Sequence, residues 1–489
     1  MVARTRGYSA RDWPLTLGWN NLRYIIESAL LHAQMLNRTL VIPSFYYARS
    51  CEFAQPVCAS FAQQFRRGDE IGMGDFGYLS EEQQQAWRVP MHLMIDLARL
   101  RQVHPVITVA EYLHLHDLPL SHERGDGHWG REKYILPDTP NSVYVFSQAT
   151  YEPSGVVRVD RAPYQPLRSH AFENGPIFLA LKEELQEAKA IDLDRVQTLL
   201  RNNKLAEWDT DAEFDMLLRD NGWTMVYTFQ GVWMEMLKTV TEPIAQVAMM
   251  SQVRGFLDEY EGVDSDVLLT EGEIHSNMKP GSIRFHTASA RTRYASLVMT
   301  GVRPIAPIRE LAERLARKMQ RLNHGRQFMS AHMRRGDFVA FSWAPENSVE
   351  GHIARVKARL ARGLKLLHKL ASEPPRPIDV PGVTPDTFFA GAPLPLPDDK
   401  FFVATDERDP AGLAYMRSQG AVLIGDLITP EERRIVGWPL LLTDVLSQVE
   451  QLIASRGVFF SGHSMSSLAG GIANYRGARG FDARTSVFD

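Results

Sequence analysis

The sequence is poor in cysteine: only Cys51 and Cys58 carry a thiol among its 489 residues. Two cysteines are too few for a disulfide-stapled scaffold and too few for a zinc site with four ligands. The pair either forms one disulfide in an oxidising compartment or stays as two thiols in a loop. Their spacing alone leaves both states open.

Long apolar runs and an excess of positive charge are also missing. No run reaches the ~20 apolar residues that a helix needs to cross a bilayer, and residues 1–6 lack the apolar stretch of a signal peptide. The formal net charge of -4 provides no broad basic field for a nucleic-acid backbone. We therefore expect a soluble chain with no membrane span and no nucleic-acid partner, in which any anion is bound locally.

The hydrophobic pattern predicts an α/β fold with two domains. The length exceeds the ~250–300 residues at which a single core stops growing. In the second half, short apolar strands alternate with amphipathic helices, as a parallel sheet with crossover helices requires. We expect one domain over 1–300 and another over 301–489. The predicted strands of the second domain are 327–332, 401–404, 421–424 and 458–461, its predicted helices include 307–322, 350–370, 411–419 and 439–456, and a proline-rich exposed loop is expected over 374–397.

A helix followed by a strand opens the fold. Apolar residues at helical spacing predict a helix over 21–36, and a strand follows over 39–42. Gly18-Trp19-Asn20 directly precedes this helix, so its first backbone N–H groups are a candidate phosphate seat. An ordinary glycine–asparagine turn is the competing interpretation, and the tripeptide alone favours it.

Polar clusters follow three predicted strands of the second half, at the edge where doubly wound sheets bind ligands. The first is His332-Met333-Arg334-Arg335-Gly336-Asp337, whose two guanidinium forks match a phosphate; a structural ion pair is the alternative. The second is Ala404-Thr405-Asp406-Glu407, whose aspartate suits a ribose or base, or else caps the next helix. The third, 461–469, places serines at a helix start, where they hold phosphate oxygens or simply cap the helix.

With the opening turn, these clusters make the chain resemble the GDP-fucose protein O-fucosyltransferase superfamily, in particular the O-fucosyltransferase-like enzymes of fungi and plants. The family opens with Gly-x-Asn-x-x-Arg and, after a long helix, Leu-Asn-Arg-Thr-Leu, and it continues with a His-x-Arg type element, an Ala-Thr-Asp element and a terminal Ser-Ser/Thr-Phe element. The matching positions are Gly18, Asn20, Arg23, 36–40, His332, Arg334, Arg335, Asp337, 404–406, Ser466 and Ser467. The resemblance spans residues 18–476.

The resemblance implies an architecture, a reaction and residue roles. The architecture is GT-B-like, with two Rossmann-like domains facing a donor-binding cleft, the acceptor on the side of the first domain and the donor held by the second. The reaction is an inverting transfer of fucose from GDP-fucose to a hydroxyl of a protein or glycan acceptor, without a cofactor or metal. Arg334 would stabilise the β-phosphate as the sugar leaves, with Arg335 assisting, and Asp337 is the third catalytic candidate. The implied donor contacts are His332 and Asp406 on the guanosine, Ser466 and Ser467 on the diphosphate, and Gly18, Asn20 and Arg23 from the first domain.

Two departures from the family pattern keep parts of this assignment open. Leu468 stands where the family has an aromatic residue, so stacking on guanine falls to another side chain and the nucleotide preference is open. Leu17 stands where some relatives have a glutamate that acts as the general base. The remaining candidates for the base are Asp337 and Glu27, and an exposed ion pair with Arg23 is the favoured interpretation of Glu27.

Two other functions remain open: a catalytically inactive nucleotide-sugar or glycan-binding relative, and a transferase for another sugar nucleotide. The family implies a location in the lumen of the secretory pathway, in the ER or Golgi, with any membrane anchor ahead of residue 1 in a longer protein. The cysteine pair and the sequon Asn37-Arg38-Thr39 are compatible with that location.

Overall fold

A computed structural model describes residues 2–15, 17–66, 84–123, 134, 142–162, 173–231, 238–272, 278–344 and 346–488, without the side chains of Ala3, Gln148 and Asp337. The strands are β1 (Tyr8–Arg11), β2 (Thr39–Ile42), β3 (Phe45–Ala48), β4 (Gln64–Arg66), β5 (Gln85–Pro90), β6 (Val106–Thr108), β7 (Val143–Ser147), β8 (Val157–Val159), β9 (Ile191–Asp192), β10 (Trp223–Phe229), β11 (Pro243–Met249), β12 (Val253–Gly255), β13 (Val267–Glu271), β14 (Ser330–Met333), β15 (Phe401–Thr405), β16 (Ala421–Val422), β17 (Phe460–Gly462) and β18 (Ser486–Phe488).

The helices are α1 (Trp19–Met35), α2 (Gln55–Ala59), α3 (Leu97–Val103), α4 (Val109–Leu115), α5 (Gln148–Tyr151), α6 (Pro176–Leu185), α7 (Leu193–Asn202), α8 (Asp211–Asp220), α9 (Phe256–Tyr260), α10 (Ala288–Thr300), α11 (Ala306–Leu322), α12 (Gly336–Ala340), α13 (Val349–Leu370), α14 (Pro410–Ser418), α15 (Ile424–Leu427), α16 (Pro430–Val436), α17 (Thr443–Ala454) and α18 (Ser467–Ala478). None of these helices is long and apolar enough to cross a membrane, a finding that covers only the ranges given above.

Two five-stranded parallel sheets organise the chain. The first has the strand order β6-β2-β1-β13-β7, and the second has the order β16-β15-β14-β17-β18. Every pairing within these two sheets is parallel. The predicted α/β class with two Rossmann-like sheets is therefore confirmed.

Both faces of the second sheet are covered, as parallel sheets require. Alternate residues of a strand point to opposite faces, so Ala331 and Met333 join the apolar layer under α13. Ser330 and His332 point the other way, where Ser330 donates to the Ala454 carbonyl at 2.7 Å and His332 contacts Ser466. The face that bears His332 is thus covered by α17 and the start of α18.

One apolar core joins the two halves of the chain. Its buried members include side chains of α1 and α10 from the first half and of α11, α17 and α18 from the second. The C-terminal helix α18 packs on both α1 and α10. The division of the chain at residue 300 stays a prediction, because helices from both sides of that position share this core.

Most predicted elements of the second half are confirmed within a few residues, and the differences have local causes. The predicted helix over 439–456 is interrupted: a 3₁₀ turn covers Trp438–Leu441, and α17 starts only at Thr443. The backbone between them is drawn to the first half, because the Leu441 carbonyl accepts from Glu52 N and Thr443 N donates to the Ser50 carbonyl.

The proline-rich segment over 374–397 has neither helix nor strand, as predicted. Most of its residues are exposed, as predicted, although Val380 is buried and Phe388 and Phe389 pack against the main core. The structure also decides between the two states considered for the cysteines. Cys51 and Cys58 form a disulfide, with Cys58 inside the short helix α2.

Candidate active site

The carboxyl ends of β14, β15 and β17 lie side by side and carry the three predicted polar clusters. His332 of β14 binds the Ala404 carbonyl through Nδ1 at 3.1 Å. Because a carbonyl only accepts, Nδ1 carries the proton, and Nε2 accepts from the Ser466 hydroxyl at 2.9 Å. The His332 side chain thus connects the end of β14 to the end of β15 and to the segment that follows β17.

His332 is uncharged at neutral pH. Burial lowers its pKa to about 4, and the neighbouring Arg334 and His463 act in the same direction. A neutral imidazole can order the surrounding loops by hydrogen bonds without competing with a cation for an anionic ligand. His332 therefore lies at the predicted site, with both ring nitrogens engaged by protein atoms.

Arg334, at the end of β14, and Asp406, at the end of β15, form the mouth of the site. Arg334 Nη1 forms an ion pair with Asp406 Oδ2 at 2.9 Å, and the two side chains keep 25% and 28% of their surface exposed. The guanidinium also lies 5.6 Å from the ring of Phe338, which contacts His463 edge-on. A partly exposed ion pair contributes ~0–1 kcal/mol, so a diphosphate with more charge than one carboxylate can replace Asp406 at low cost.

Arg335 does not have the role expected of it. It is 6% exposed, and its guanidinium donates to the Glu407 carboxylate and to the carbonyls of Glu346, Asn347 and Ser348. These bonds hold the loop after α12 against the end of β15. The guanidinium is thus turned into the protein, and of the two adjacent arginines only Arg334 faces the mouth of the site.

Asp406 lies at the centre of the mouth and does not cap the next helix. Its Oδ1 accepts from the backbone N of Arg335 at 2.6 Å, while Asp409 caps α14 instead. A methyl group on Gly336 would lie 2.5 Å from Asp406 Oδ2, so the glycine lets the loop approach the carboxylate. The short turn after β14 is therefore shaped around Asp406.

The N-terminus of α18 follows β17 at the same edge of the sheet, with Ser466 as its N-cap residue. The Ser466 hydroxyl donates to His332 and does not cap the helix, and its backbone N donates to the His463 carbonyl. The predicted contact of this serine with a diphosphate is therefore not supported. Ser467 is half-buried in the first turn, where helix N–H groups lack intrahelical acceptors and favour an anion.

The candidate phosphate seat at the start of α1 is filled by the protein itself. The carboxylate of Asp444 accepts from Trp19 N at 3.4 Å and from Arg49 N at 2.9 Å. A methyl group on Gly18 would lie 2.4 Å from Nη2 at the flexible end of Arg49, so this arginine packs closely on the glycine. Asn20 accepts through Oδ1 from Gln451 at 3.0 Å. Neither Gly18 nor Asn20 is placed as a donor contact, and both belong to the junction of the two halves.

Arg23 and Glu27 form the predicted ion pair, but the pair is buried and not exposed. Arg23 Nε lies 2.8 Å from Glu27 Oε1, and the side chains keep 6% and 2% of their surface. The guanidinium also stacks on Tyr475 of α18 at 4.4 Å. Burial raises the pKa of Glu27 to about 7 against the effect of Arg23. Burial of the pair shows that the expected exposed ion pair is wrong, and it argues against Arg23 as a donor contact and against Glu27 as the base.

Two buried ionisable residues near the site were missed from the sequence. Glu450 of α17 is 8% exposed, and burial raises its pKa to about 8, with Asp406 and Glu52 adding to the effect. Lys238 donates from Nζ to the Met465 carbonyl at 2.8 Å, and burial lowers its pKa to about 7. No motif surrounds either residue, so only the fold reveals them.

The side chain of Asp337 lies outside the described part of the chain, so its role as a base stays a prediction. Within the described residues, no group of three or more His, Cys, Asp or Glu side chains is arranged to hold a metal ion. The described residues offer an anion two groups, the guanidinium of Arg334 and the first turn of α18.

No protein-family model and no curated protein matches the chain. Among solved structures, POFUT1 in complex with GDP-fucose is similar over 99% of this chain and 98% of its own, with 12% identity and a TM-score of 0.39. The NodZ α-1,6-fucosyltransferase soaked with GDP-fucose is similar over 96% of this chain and 91% of its own, with 12% identity and a TM-score of 0.35. Fucosyltransferase NodZ from Bradyrhizobium covers the same shares with 11% identity and a TM-score of 0.32. Because TM-scores of this size establish no common function, the proposal that follows is based on the chain's own residues.

Proposed function

We propose that the chain is an inverting glycosyltransferase that moves fucose from GDP-fucose to a hydroxyl of a protein or glycan acceptor. The observation that carries the proposal is that Arg334, which follows β14, and the N-terminus of α18, which follows the neighbouring strand β17, lie at the same carboxyl edge of a parallel sheet. A guanidinium fork and a helix N-terminus both favour a diphosphate. The motif resemblance in the sequence points to the same donor.

The proposed reaction is a single displacement at the anomeric carbon. The acceptor oxygen forms the new bond to that carbon as the bond to the β-phosphate oxygen breaks, and GDP leaves with the bonding electrons. Negative charge on the β-phosphate grows during this step, so fixed positive groups next to it lower the barrier. Arg334 supplies a full positive charge on a side chain that can turn toward the β-phosphate, and the dipole of α18 supplies a partial positive charge in a fixed position.

The remaining contacts follow from the geometry of the mouth. In the proposed complex Asp406 leaves Arg334 and accepts hydrogen bonds from the guanosine. His332 supports the site by holding Ser466 in place, and Ser467 is nearest in sequence to the helix N–H groups that would face the phosphate. The acceptor hydroxyl needs a base only weakly if the transition state is loose and the leaving group good, and Asp337 remains the candidate.

A nucleotide-sugar-binding relative without activity is the second candidate function. The observation that favours it is the burial of Glu27, which removes one of the two residues considered as a base. Such a protein would bind GDP and GDP-fucose at the same mouth and would release no fucose. A transferase for another sugar nucleotide is the third, and it would use Arg334 in the same way with a different base.

We also propose that the chain works in an oxidising compartment of the secretory pathway. The disulfide between Cys51 and Cys58 supports this location, because disulfides persist in such compartments and are rare in the cytosol. Mass spectrometry of protein purified without reductant would test it. A free-thiol count of two would contradict the location.

Calorimetric titration of the full chain with GDP, with UDP as the control and without added metal, tests the donor assignment. We expect GDP to bind more tightly than UDP, and we expect GDP-fucose in the presence of acceptor to release GDP. Binding of GDP without turnover would favour the inactive relative, and tighter binding of UDP would favour another donor. If neither nucleotide binds, the transferase proposal is refuted.

A further inference from the structure

A cavity lies at the start of β3, which is the end of that strand away from Gly18. It has a volume of about 280 Å³ and combines aromatic rings with hydrogen-bonding side chains. Its described lining is Ser44, Phe45, Phe61, Ala62, Gln63, Arg88, Pro90 and Trp438. Trp438 comes from the second half of the chain and the other lining residues from the first, so the cavity lies where the two halves meet.

Arg88 provides a fixed polar group in the wall of this cavity. Its guanidinium carbon lies 4.2 Å from the ring centre of Phe45 and 4.9 Å from that of Phe65. Its Nη2 donates to the Tyr47 hydroxyl at 3.2 Å. Cation–π contacts on two rings hold the guanidinium in one orientation. The side chain is therefore already ordered, and binding a ligand costs it little further conformational entropy.

A carboxyl group next to the cavity interacts electrostatically with Arg88 and disfavours an anionic ligand. The carboxyl of Glu123 accepts from Ser44 N at 2.8 Å. Burial raises the pKa of Glu123, and Ser44 and Arg88 both act to lower it. A ligand carboxylate would have to compete with Glu123 for the same guanidinium, whereas a neutral hydroxyl only needs one N–H donor.

Aromatic faces beside hydrogen-bond donors are the combination that a sugar ring needs. Phe61 is 57% exposed, and with Trp438 it offers apolar surface to the C–H face of a pyranose. Arg88 and Gln63 offer donors to its hydroxyls. The volume lies just below the ~300–1,000 Å³ of sites for drug-sized ligands, which suits a single ring.

The cavity is connected to the proposed donor site through one strand. From Phe45, β3 runs to Arg49, which packs on Gly18, and four steps along a strand span ~13 Å. From Asn20, Gln451 then bridges to the Leu468 carbonyl in the first turn of α18. These contacts link the cavity to the proposed donor site, so both belong to one continuous part of the fold.

We propose that this cavity binds a neutral pyranose unit of the acceptor. The acceptor role rests on the proposed transferase function, and the sugar binding does not. The acceptor is accordingly a glycan or a glycan-bearing chain.

Saturation-transfer NMR on the full chain tests the cavity with methyl glycosides of glucose, galactose, mannose and N-acetylglucosamine, and with methyl glucuronide as the anionic probe. We expect transfer to at least one neutral glycoside, with a Kd that rises about three- to tenfold in Phe61→Ala, the effect of losing an aromatic contact. Phe61→Ala is the preferred variant because that side chain is largely exposed and its loss leaves the core intact. Trp438→Ala is the second variant, and Leu120→Ala, at an exposed residue outside the cavity lining, is the matched control.

The inference is overturned if no neutral glycoside shows transfer, if Phe61→Ala and Trp438→Ala bind as the wild type does, or if methyl glucuronide binds best. A GDP titration of the same samples separates the two proposals. Binding of GDP without any glycoside refutes the sugar cavity and leaves the donor site intact. Binding of a glycoside without GDP refutes the acceptor role together with the transferase function.

Discussion

Replacing two adjacent arginines by alanine, one at a time, should affect two different properties of this protein: ligand binding in one variant and stability in the other. Arg334 is partly exposed and contacts Asp406 through one nitrogen. Arg335 is buried, and its four side-chain hydrogen bonds all go to protein acceptors. We expect Arg334→Ala to weaken GDP binding and keep stability, and Arg335→Ala to reduce stability first.

The magnitudes follow from burial. A hydrogen bond to a charged group contributes ~1.5–3 kcal/mol, so Arg334→Ala should raise the Kd for GDP about ten- to a hundredfold. Its effect on unfolding should stay below ~1 kcal/mol, the value of a partly exposed ion pair. Arg335→Ala removes the buried cation that pairs with the half-buried Glu407 carboxylate and the donors to three backbone carbonyls, which costs ~3–5 kcal/mol. That loss corresponds to a Tm lower by about 6–20 °C in a domain of ~200 residues.

Thermal unfolding and GDP calorimetry on the same preparations measure both effects. Arg314→Ala is the control, because Arg314 pairs with Glu310 on an exposed helix surface and should change neither quantity. The reasoning is wrong if Arg335→Ala unfolds like the wild type but no longer binds GDP. It is also wrong if Arg334→Ala binds GDP with unchanged affinity.

Three further predictions concern stability. Because burial lowers the pKa of His332 to about 4, only the unfolded state gains its proton between pH 6.5 and 4. The contribution of this residue to stability should therefore fall by about 2 kcal/mol from pH 7 to pH 5, and the difference in unfolding free energy between wild type and His332→Gln should change by that amount. The comparison uses both proteins because the raised pKa values of Glu27 and Glu450 act in the opposite direction in each of them. Cys51→Ser opens a disulfide between positions separated by 7 residues and should cost ~2–3 kcal/mol, so equal melting of wild type and variant under oxidising conditions would contradict the bridge. Gly363→Ala puts a methyl group 2.5 Å from the Phe459 ring and should cost ~1–3 kcal/mol in chemical unfolding, whereas Gly425→Ala, with nothing within 4 Å, should be neutral or stabilising.

Elements with strong periodicity could be predicted from the sequence alone. The helix predicted over 307–322 is observed as Ala306–Leu322, and the strand predicted over 39–42 is observed as Thr39–Ile42. Hydrophobic period and strand length are local properties, so they survive without knowledge of the fold. The edge strand Ser486–Phe488 was missed because three residues carry too little pattern to distinguish a strand from a loop.

The position of the candidate site also follows from the sequence. Polar residues directly after strands of a parallel sheet must share one edge, and His332, Asp406 and Ser466 do meet there. This rule needs only the order of strands and helices along the chain. It says which residues approach one another, and it does not say which way each side chain turns.

Side-chain direction and long-range pairing were decided by the tertiary structure. Arg334 and Arg335 are neighbours of one type, and only packing against the loop at 346–348 buries the second of them. The N-terminus of α1 has the pattern of a phosphate seat, yet Asp444 occupies it from more than four hundred positions away. A sequence pattern records what a residue can bind, and the chain fold determines which partner reaches it first.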